Sequence, residues 1–411
     1  MTVFAVQRSG YSCVVIHSFL PAISKRLAPA AIALLLSALA PATLHAQPQP
    51  DAPAPKQQQE QQQARYEAAA TYSAQRGGLA MVVLKDGELV YENYANGADF
   101  TQPFRIFSGT KSFWGVLIMC MAQDKLVNLN EPVWETLIEW HADARKKRIR
   151  LEQLLNQSSG LDTAFYALNS DRVEHKYRYA VGLVCETEPG ATFHYGPGHY
   201  YVLGEFITRK LETTTHENPV EYLKRRLLTP IGIETADWVT DKAGNPYMPS
   251  GAVMTARQWA KFGQFILDGG RADGQQILVP DLLRECFRPS PTNPQYGLSF
   301  WLNNPVQDHR DWGQQGVLEV PHSLNFEKDD QDRLWISKNA PRDMVAAIGA
   351  EGQRLYVIPS LKLVIVRLGQ GKTAFRDSEF LDRLLPPPPE DRNPGIAPGP
   401  APGSSPVNAP R

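Results

Sequence analysis

The sequence has almost no excess of either charge. Its 42 Lys and Arg stand against 43 Asp and Glu over 411 residues, for a formal net charge of −1. Without a basic field there is no electrostatic case for a nucleic-acid partner. Cysteine is scarce too. Cys13, Cys120, Cys185 and Cys286 are widely scattered and none forms a C-x-x-C pair, which excludes zinc-ribbon spacing and a disulfide scaffold. If Cys13 lies in a removed leader, three remain, and at most one disulfide can form inside the mature chain. No repeat at a solenoid period is visible. What is present is ordinary for a globular protein: 43% apolar and 21% charged residues, in a chain long enough for one large domain or two smaller ones.

The ends read differently from the middle. Lys25 and Arg26 precede an apolar run over residues 27–40 (LAPAAIALLLSALA), Pro41 breaks it, and Ala46 offers a small residue for cleavage. That is the pattern of an export signal over residues 1–46. The run is shorter than the roughly 20 residues a spanning helix needs, so no stable membrane anchor is expected. No cysteine follows it closely, which argues against a lipoprotein, and the expected location is periplasmic or secreted. Residues 47–64, mostly Pro and Gln, have little to bury and are expected to be a disordered tether. Residues 386–411, which begin with four prolines, are expected to be a disordered tail.

Between these ends, residues 78–84 and 88–94 are strand-like runs around Asp86-Gly87, a strong hairpin signal. Residues 112–123 (SFWGVLIMCMAQ) are apolar nearly all round and predict a helix buried on every side. Helical periodicity recurs over 151–155, 200–210, 220–228 and 256–267, and 65–74 is Ala-rich and helix-prone. Residues 355–358 and 363–368 read as strands around a Pro359-Ser360 turn, and 379–385 as a closing helix. Strands at both ends with a helical middle predict one α/β domain over 65–385, its sheet built from both chain ends and flanked by helices.

Ser108-Gly109-Thr110-Lys111 stands immediately before the buried helix. A spacing of three places Ser108 and Lys111 on one face. The helix dipole and apolar surroundings there favour a neutral lysine. Such an amine can take the serine proton and free the oxygen to attack an acyl carbon. An S-x-x-K also arises by chance in chains of this length, and Ser108 is a good helix N-cap. The motif alone leaves both readings open.

Its context is more specific. The phrase FRIFSGTKSF at 104–113 resembles the active-serine segment of the beta-lactamase-like serine hydrolases. These include class C beta-lactamases, D-alanyl-D-alanine carboxypeptidases, esterases and 6-aminohexanoate-dimer hydrolases. Further phrases agree in order: LVNLNEPV (126–133), IRLEQLLNQSSGL (149–161), PGATFHYGPGHYYVLG (189–204), PIGI (230–233), SGAVMTARQWAKF (250–262) and YGLSFWL (296–302). Residues 346–368 are similar to the terminal strands that border the site. The resemblance covers nearly all of 78–370.

It implies a beta-lactamase/transpeptidase-like fold, with Ser108 as nucleophile, Lys111 as its base and Tyr195 sharing the proton work. The chemistry independently calls for an acid to protonate the leaving group, and a phenol whose pKa a neighbouring ammonium lowers would serve. His194 and His199 have no recognisable triad or metal partner and read as structural or surface groups. Two departures stand out. Pro197 occupies a position where many relatives carry Asn, removing a carboxamide and a backbone donor. The family's cation-hydroxyl-glycine strand motif aligns with Ala347-Ile348-Gly349, so only the glycine remains on this substrate-binding strand. The amides of Ser108 and Ala350 are expected to form the oxyanion hole.

The implied activity is hydrolysis of a small ester or amide through an acyl-enzyme, with no cofactor or metal called for. Poor beta-lactamase activity is expected. A D,D-peptidase or D-amino-acid peptidase and a catalytically silent binding module are the alternatives, and the sequence leaves the oligomeric state open. Residues 303–342, rich in charge and turn residues, read equally as a solvated insertion or a pocket rim. That stretch holds Trp312 and Trp335 and follows Trp301.

Overall fold

The computed structural model describes residues 55–233, 237–307, 324–371 and 374–387. The expected leader, the start of the tether, Trp312 and residues 388–411 of the tail lie outside the described residues. The principal elements, in chain order, begin with helix α1 (Pro55–Gln75) and strands β1 (Gly78–Lys85) and β2 (Glu88–Tyr94). Helices α2 (Lys111–Gln123), α3 (Gly198–Glu212) and α4 (Ala256–Leu267) form the middle. Strands β3 (Trp301–Leu302), β4 (Val345–Ile348), β5 (Arg354–Ile358) and β6 (Leu363–Gly369) follow, and helix α5 (Asp377–Leu384) closes the domain.

Asp86 and Gly87 have φ of 51° and 87°, the backbone that a two-residue hairpin requires and that Asp-Gly adopts at little cost. They join β1 to β2, with Lys85 opposite Glu88. The sheet runs β2-β1-β6-β5-β4-β3, antiparallel throughout, so early and late segments of the domain meet where β1 pairs with β6, Lys85 opposite Leu363. Both faces are covered, and the side chains alternate between two cores. Val364 and Val366 of β6 join the core that holds α2, α3 and α4; Leu363 and Ile365 join the one beneath α1 and α5. The same alternation places Leu355 and Val357 in one core and Tyr356 and Ile358 in the other. Each such aliphatic or aromatic side chain contributes about 1.5–3 kcal/mol by leaving water.

Helix α2 is enclosed on all sides from Lys111 through Met121. Phe113 stacks on Phe262 of α4 with ring centroids 4.0 Å apart, and Trp114 Nε1 donates to the Met248 carbonyl at 2.6 Å. Helix α4 starts in a capping box, in which Thr255 accepts from the Gln258 amide and Gln258 from that of Thr255.

One expectation is corrected. The glutamine tract expected to be structureless is helical from Pro55 onward and extends α1. Gln and Glu are good helix formers, so they prolong a helix whose later residues Tyr66, Ala69 and Ala70 are already anchored in the core. Near its start the helix is tied to the end of α5: Gln62 Nε2 donates to the Leu384 carbonyl and Arg65 Nη1 to that of Leu385, at 3.2 and 2.9 Å.

Candidate active site

A small sheet of residues 104–105, 252–254 and 237–238 leads into the serine. The Ile106 amide donates to the Ala252 carbonyl at 3.0 Å. Phe107 then takes a left-handed backbone, φ 46°, a conformation that costs a non-glycine residue of order 1 kcal/mol or more. The turn it makes carries Ser108 into a short 3-10 segment, Phe107–Thr110, that runs straight into α2. Gly109 is required there, because a Cβ would stand 2.6 Å from the Trp259 ring. No side chain caps either helical start, so Ser108 is not an N-cap.

Instead Ser108 Oγ lies 3.1 Å from Lys111 Nζ. The amine also donates to the Pro249 carbonyl at 3.2 Å and stands 4.8 Å from the centre of the Tyr195 ring. Lys111 is only 3% exposed. Burial alone drives its pKa from 10.5 down to about 7, so a large fraction is neutral at neutral pH.

Tyr195 is buried against Phe193, Tyr296 and Trp301, with the Trp301 ring 5.6 Å away and the Tyr296 ring edge-on at 6.1 Å. Its hydroxyl lies near enough to the Ser108 side chain for that group to bias its titration downward. The expected lowering of its pKa is reversed. Burial pushes the phenol well above its ordinary range, outweighing the opposing influence of Ser108 and the charge of Arg354. Tyr195 is therefore a protonated donor near neutral pH.

The segment around Tyr195 is fixed by groups that the sequence reading did not single out. Gly196 donates to Gln157 Oε1 at 2.8 Å and is pressed against Thr163, whose Cβ would lie 2.3 Å from an added Cβ. His199 is wholly buried between Ser159 Oγ (2.8 Å) and the His194 carbonyl (2.7 Å). Burial lowers its pKa to about 4, so it is a neutral structural histidine. Pro197 precedes α3 and contributes no side-chain hydrogen bond there.

On the opposite wall, Ala347 and Ile348 are 3% and 2% exposed and lie in different cores, Ile348 in the one that contains Tyr195. Their side chains are core groups. Gly349 is extended, φ −120°, and a Cβ on it would come 2.1 Å from the Ile106 carbonyl, two residues before the serine. This close approach brings the strand end against the Ser108 turn. Ala350, the next residue, is exposed.

The segment 303–342 is not simply a solvated insertion where it is described. Leu334, Trp335 and Ile336 are buried, and residues 306–307, 327–328 and 333–335 form a small sheet of their own. Cys120, Cys185 and Cys286 are buried free thiols. Among the described residues no helix is long and apolar enough to cross a membrane.

The family model described as Beta-lactamase matches residues 58–385. The chain is 21% identical over 302 residues to the 6-aminohexanoate-dimer hydrolase of Paenarthrobacter ureafaciens, covering 70% of this chain and 71% of that protein. It is 26% identical over 170 residues to protein flp of Staphylococcus aureus (strain COL), covering 38% of this chain. The match spans only 33% of the length of that relative. Among solved structures, EstCE1, a hydrolase with promiscuous acyltransferase activity, shares the fold with a TM-score of 0.57 at 15% identity, covering 80% of this chain and 99% of that one.

Proposed function

The chain belongs to the beta-lactamase family of serine hydrolases, and from that premise we propose that it is an exported enzyme cleaving small esters or amides through an acyl-enzyme on Ser108. The observation that carries the proposal is the buried Lys111 amine, 3.1 Å from Ser108 Oγ and held near neutrality by burial. Neutral Nζ takes the proton of Ser108 as Oγ bonds to the acyl carbon. The carbonyl oxygen becomes an oxyanion between the amides of Ser108 and Ala350. Tyr195 gives its proton to the departing oxygen or nitrogen as the scissile bond breaks, and recovers one from the Lys111 ammonium. Water then enters in place of the leaving group. It passes a proton to the neutral Lys111 amine as it attacks the acyl carbon, and Ser108 Oγ leaves with a proton given by Tyr195, which Lys111 then restores.

The protonated state of Tyr195 supports amide as well as ester cleavage, since an amine leaving group must be protonated to depart. The missing cation and hydroxyl at Ala347 and Ile348 weigh against a peptidase that grips a terminal carboxylate. The hydrogen bond between Lys111 and Ser108 and the close approach of Tyr195 to the amine weigh against a silent binding module.

Labelling by a fluorophosphonate probe is the direct test. Wild type should be labelled and Ser108→Ala should not; an unlabelled wild type would favour the binding module. A panel of p-nitrophenyl esters, D-amino-acid amides and aminohexanoate oligomers would then define the substrate class. Export is tested by the N-terminus of the protein recovered outside the cytoplasm, expected near residue 47.

A further inference from the structure

Glycine at 349 restricts its backbone torsions least, so its sequence does little to fix the orientation of the Gly349–Ala350 peptide plane. A trans peptide is planar, with its C=O and N–H directed to opposite sides. Arg354 Nη1 donates to the Gly349 carbonyl at 2.9 Å and to the Gln353 carbonyl at 3.0 Å. Holding the Gly349 oxygen on the Arg354 side necessarily turns the Ala350 N–H to the other side.

Arg354 is itself immobilised. It is wholly buried, and its Nε and Nη2 meet the two oxygens of Asp377 at 2.5 and 3.0 Å, with Tyr356 adding a 2.6 Å bond to the same carboxylate. A second buried cation completes the arrangement. Arg367, directly opposite Arg354 across the β5–β6 ladder, donates to the Gly352 carbonyl at 2.7 Å and to Ser73 Oγ at 2.9 Å. The carbonyls of residues 349, 352 and 353 are thus held from behind by two guanidiniums, of which Arg354 alone is paired with a carboxylate. Like charges facing each other across a ladder are destabilising, and a buried ion pair is at best a poor substitute for apolar packing. Stability alone does not explain this choice of residues.

We propose that Arg354, seated on Asp377, is a positioning residue that fixes the Gly349–Ala350 peptide so that the Ala350 N–H serves the oxyanion. This rests on the reading of Ala350 as an oxyanion donor given above. The charge of Arg354 also reaches Tyr195, where it favours the phenolate that forms as the leaving group takes its proton.

The test compares wild type with the double variant Arg354→Met/Asp377→Leu, which removes the grip without leaving either member of the pair as a lone charge, and with Arg354→Lys. Turnover of p-nitrophenyl butyrate, the inhibition constant of an alkyl boronic acid, and thermal unfolding are measured on each, with active sites counted by fluorophosphonate. In the double variant kcat should fall about 10- to 100-fold per active site, KM should stay within about twofold, and boronate affinity should weaken in parallel. Arg354→Lys, with one compact donor in place of a fork, should fall between the two. A purely structural pair would lower the unfolding temperature and leave kcat per active site and boronate binding at the wild-type level, which would overturn the proposal. Should the double variant not fold, Arg354→Lys decides: reduced kcat at unchanged KM supports the role, and wild-type kcat overturns it. A wild type that neither labels nor hydrolyses would instead overturn the hydrolase reading, and this inference with it.

Discussion

Replacing Lys111 by Met should stabilise the protein at neutral pH while abolishing its activity. Unfolded, the amine titrates at its ordinary 10.5; folded, burial brings it to about 7. At 1.36 kcal/mol per pH unit, that difference corresponds to a folding penalty of roughly 5 kcal/mol, present in full below pH 7. Between pH 7 and 10.5 the unfolded chain binds the extra proton, so wild-type stability rises with pH until the penalty is gone. Methionine has similar length and no charge to desolvate, but it leaves the Pro249 carbonyl without its buried donor, at a cost of about 1–3 kcal/mol. The variant should therefore gain roughly 2–4 kcal/mol at pH 6, and the gap should close and change sign near about pH 9. Urea melts at pH 6, 7, 8 and 9 measure this directly. Turnover should drop at least about 10²-fold, the lower range for loss of a general base. Lys111→Arg should be nearly as inactive, since a guanidinium cannot accept the proton. A Met variant less stable than wild type at pH 6, or a gap that does not narrow as the pH rises, would refute the view that burial holds Lys111 near neutrality. An Arg variant with wild-type turnover would refute its role as base.

Three further outcomes follow from the site. The pH profile of kcat/KM for p-nitrophenyl butyrate should rise through about pH 7 as Lys111 loses its proton, with no fall up to pH 10 because burial keeps Tyr195 protonated; a decline below pH 9 would contradict this. Nitrocefin should be hydrolysed poorly: a hydrogen bond to a charged group contributes roughly 1.5–3 kcal/mol, so losing the strand's grip on the lactam carboxylate should cost about 10–100-fold. A higher kcat/KM for nitrocefin than for the butyrate ester would show that another group binds the carboxylate. Gly349→Ala should reduce activity by at least about tenfold with a lowered unfolding temperature, because its Cβ meets the Ile106 carbonyl at 2.1 Å and one of the two must move; wild-type kinetics would show that the strand end is not held against the serine turn.

How far the sequence could be read depended on the range of the interactions. Strands β1, β2, β5 and β6 were legible to within a residue, because apolar runs and the Asp86-Gly87 hairpin are local signals. The start of α1 was not, since the absence of apolar residues argues against burial but not against helix. Ser108 and Lys111 were found by their spacing of three along one helical start, again a local signal. Tyr195 came only through the resemblance of its surrounding phrase, and its raised pKa depends on the Phe193, Tyr296 and Trp301 rings that the fold gathers round it. Arg354 and Arg367 lie still further from legibility. A charged residue at the edge of, or within, an apolar strand is a visible oddity, but its meaning depends on register. Only with β5 and β6 paired does Arg354 fall opposite Arg367, and only with α5 folded over that face does Asp377 reach the first of them. Two cations so placed would repel and desolvate each other without return unless something else used them. The carbonyls of 349, 352 and 353 are what they hold, and those carbonyls belong to the turn that follows the strand end packed against Ile106, two residues before the serine.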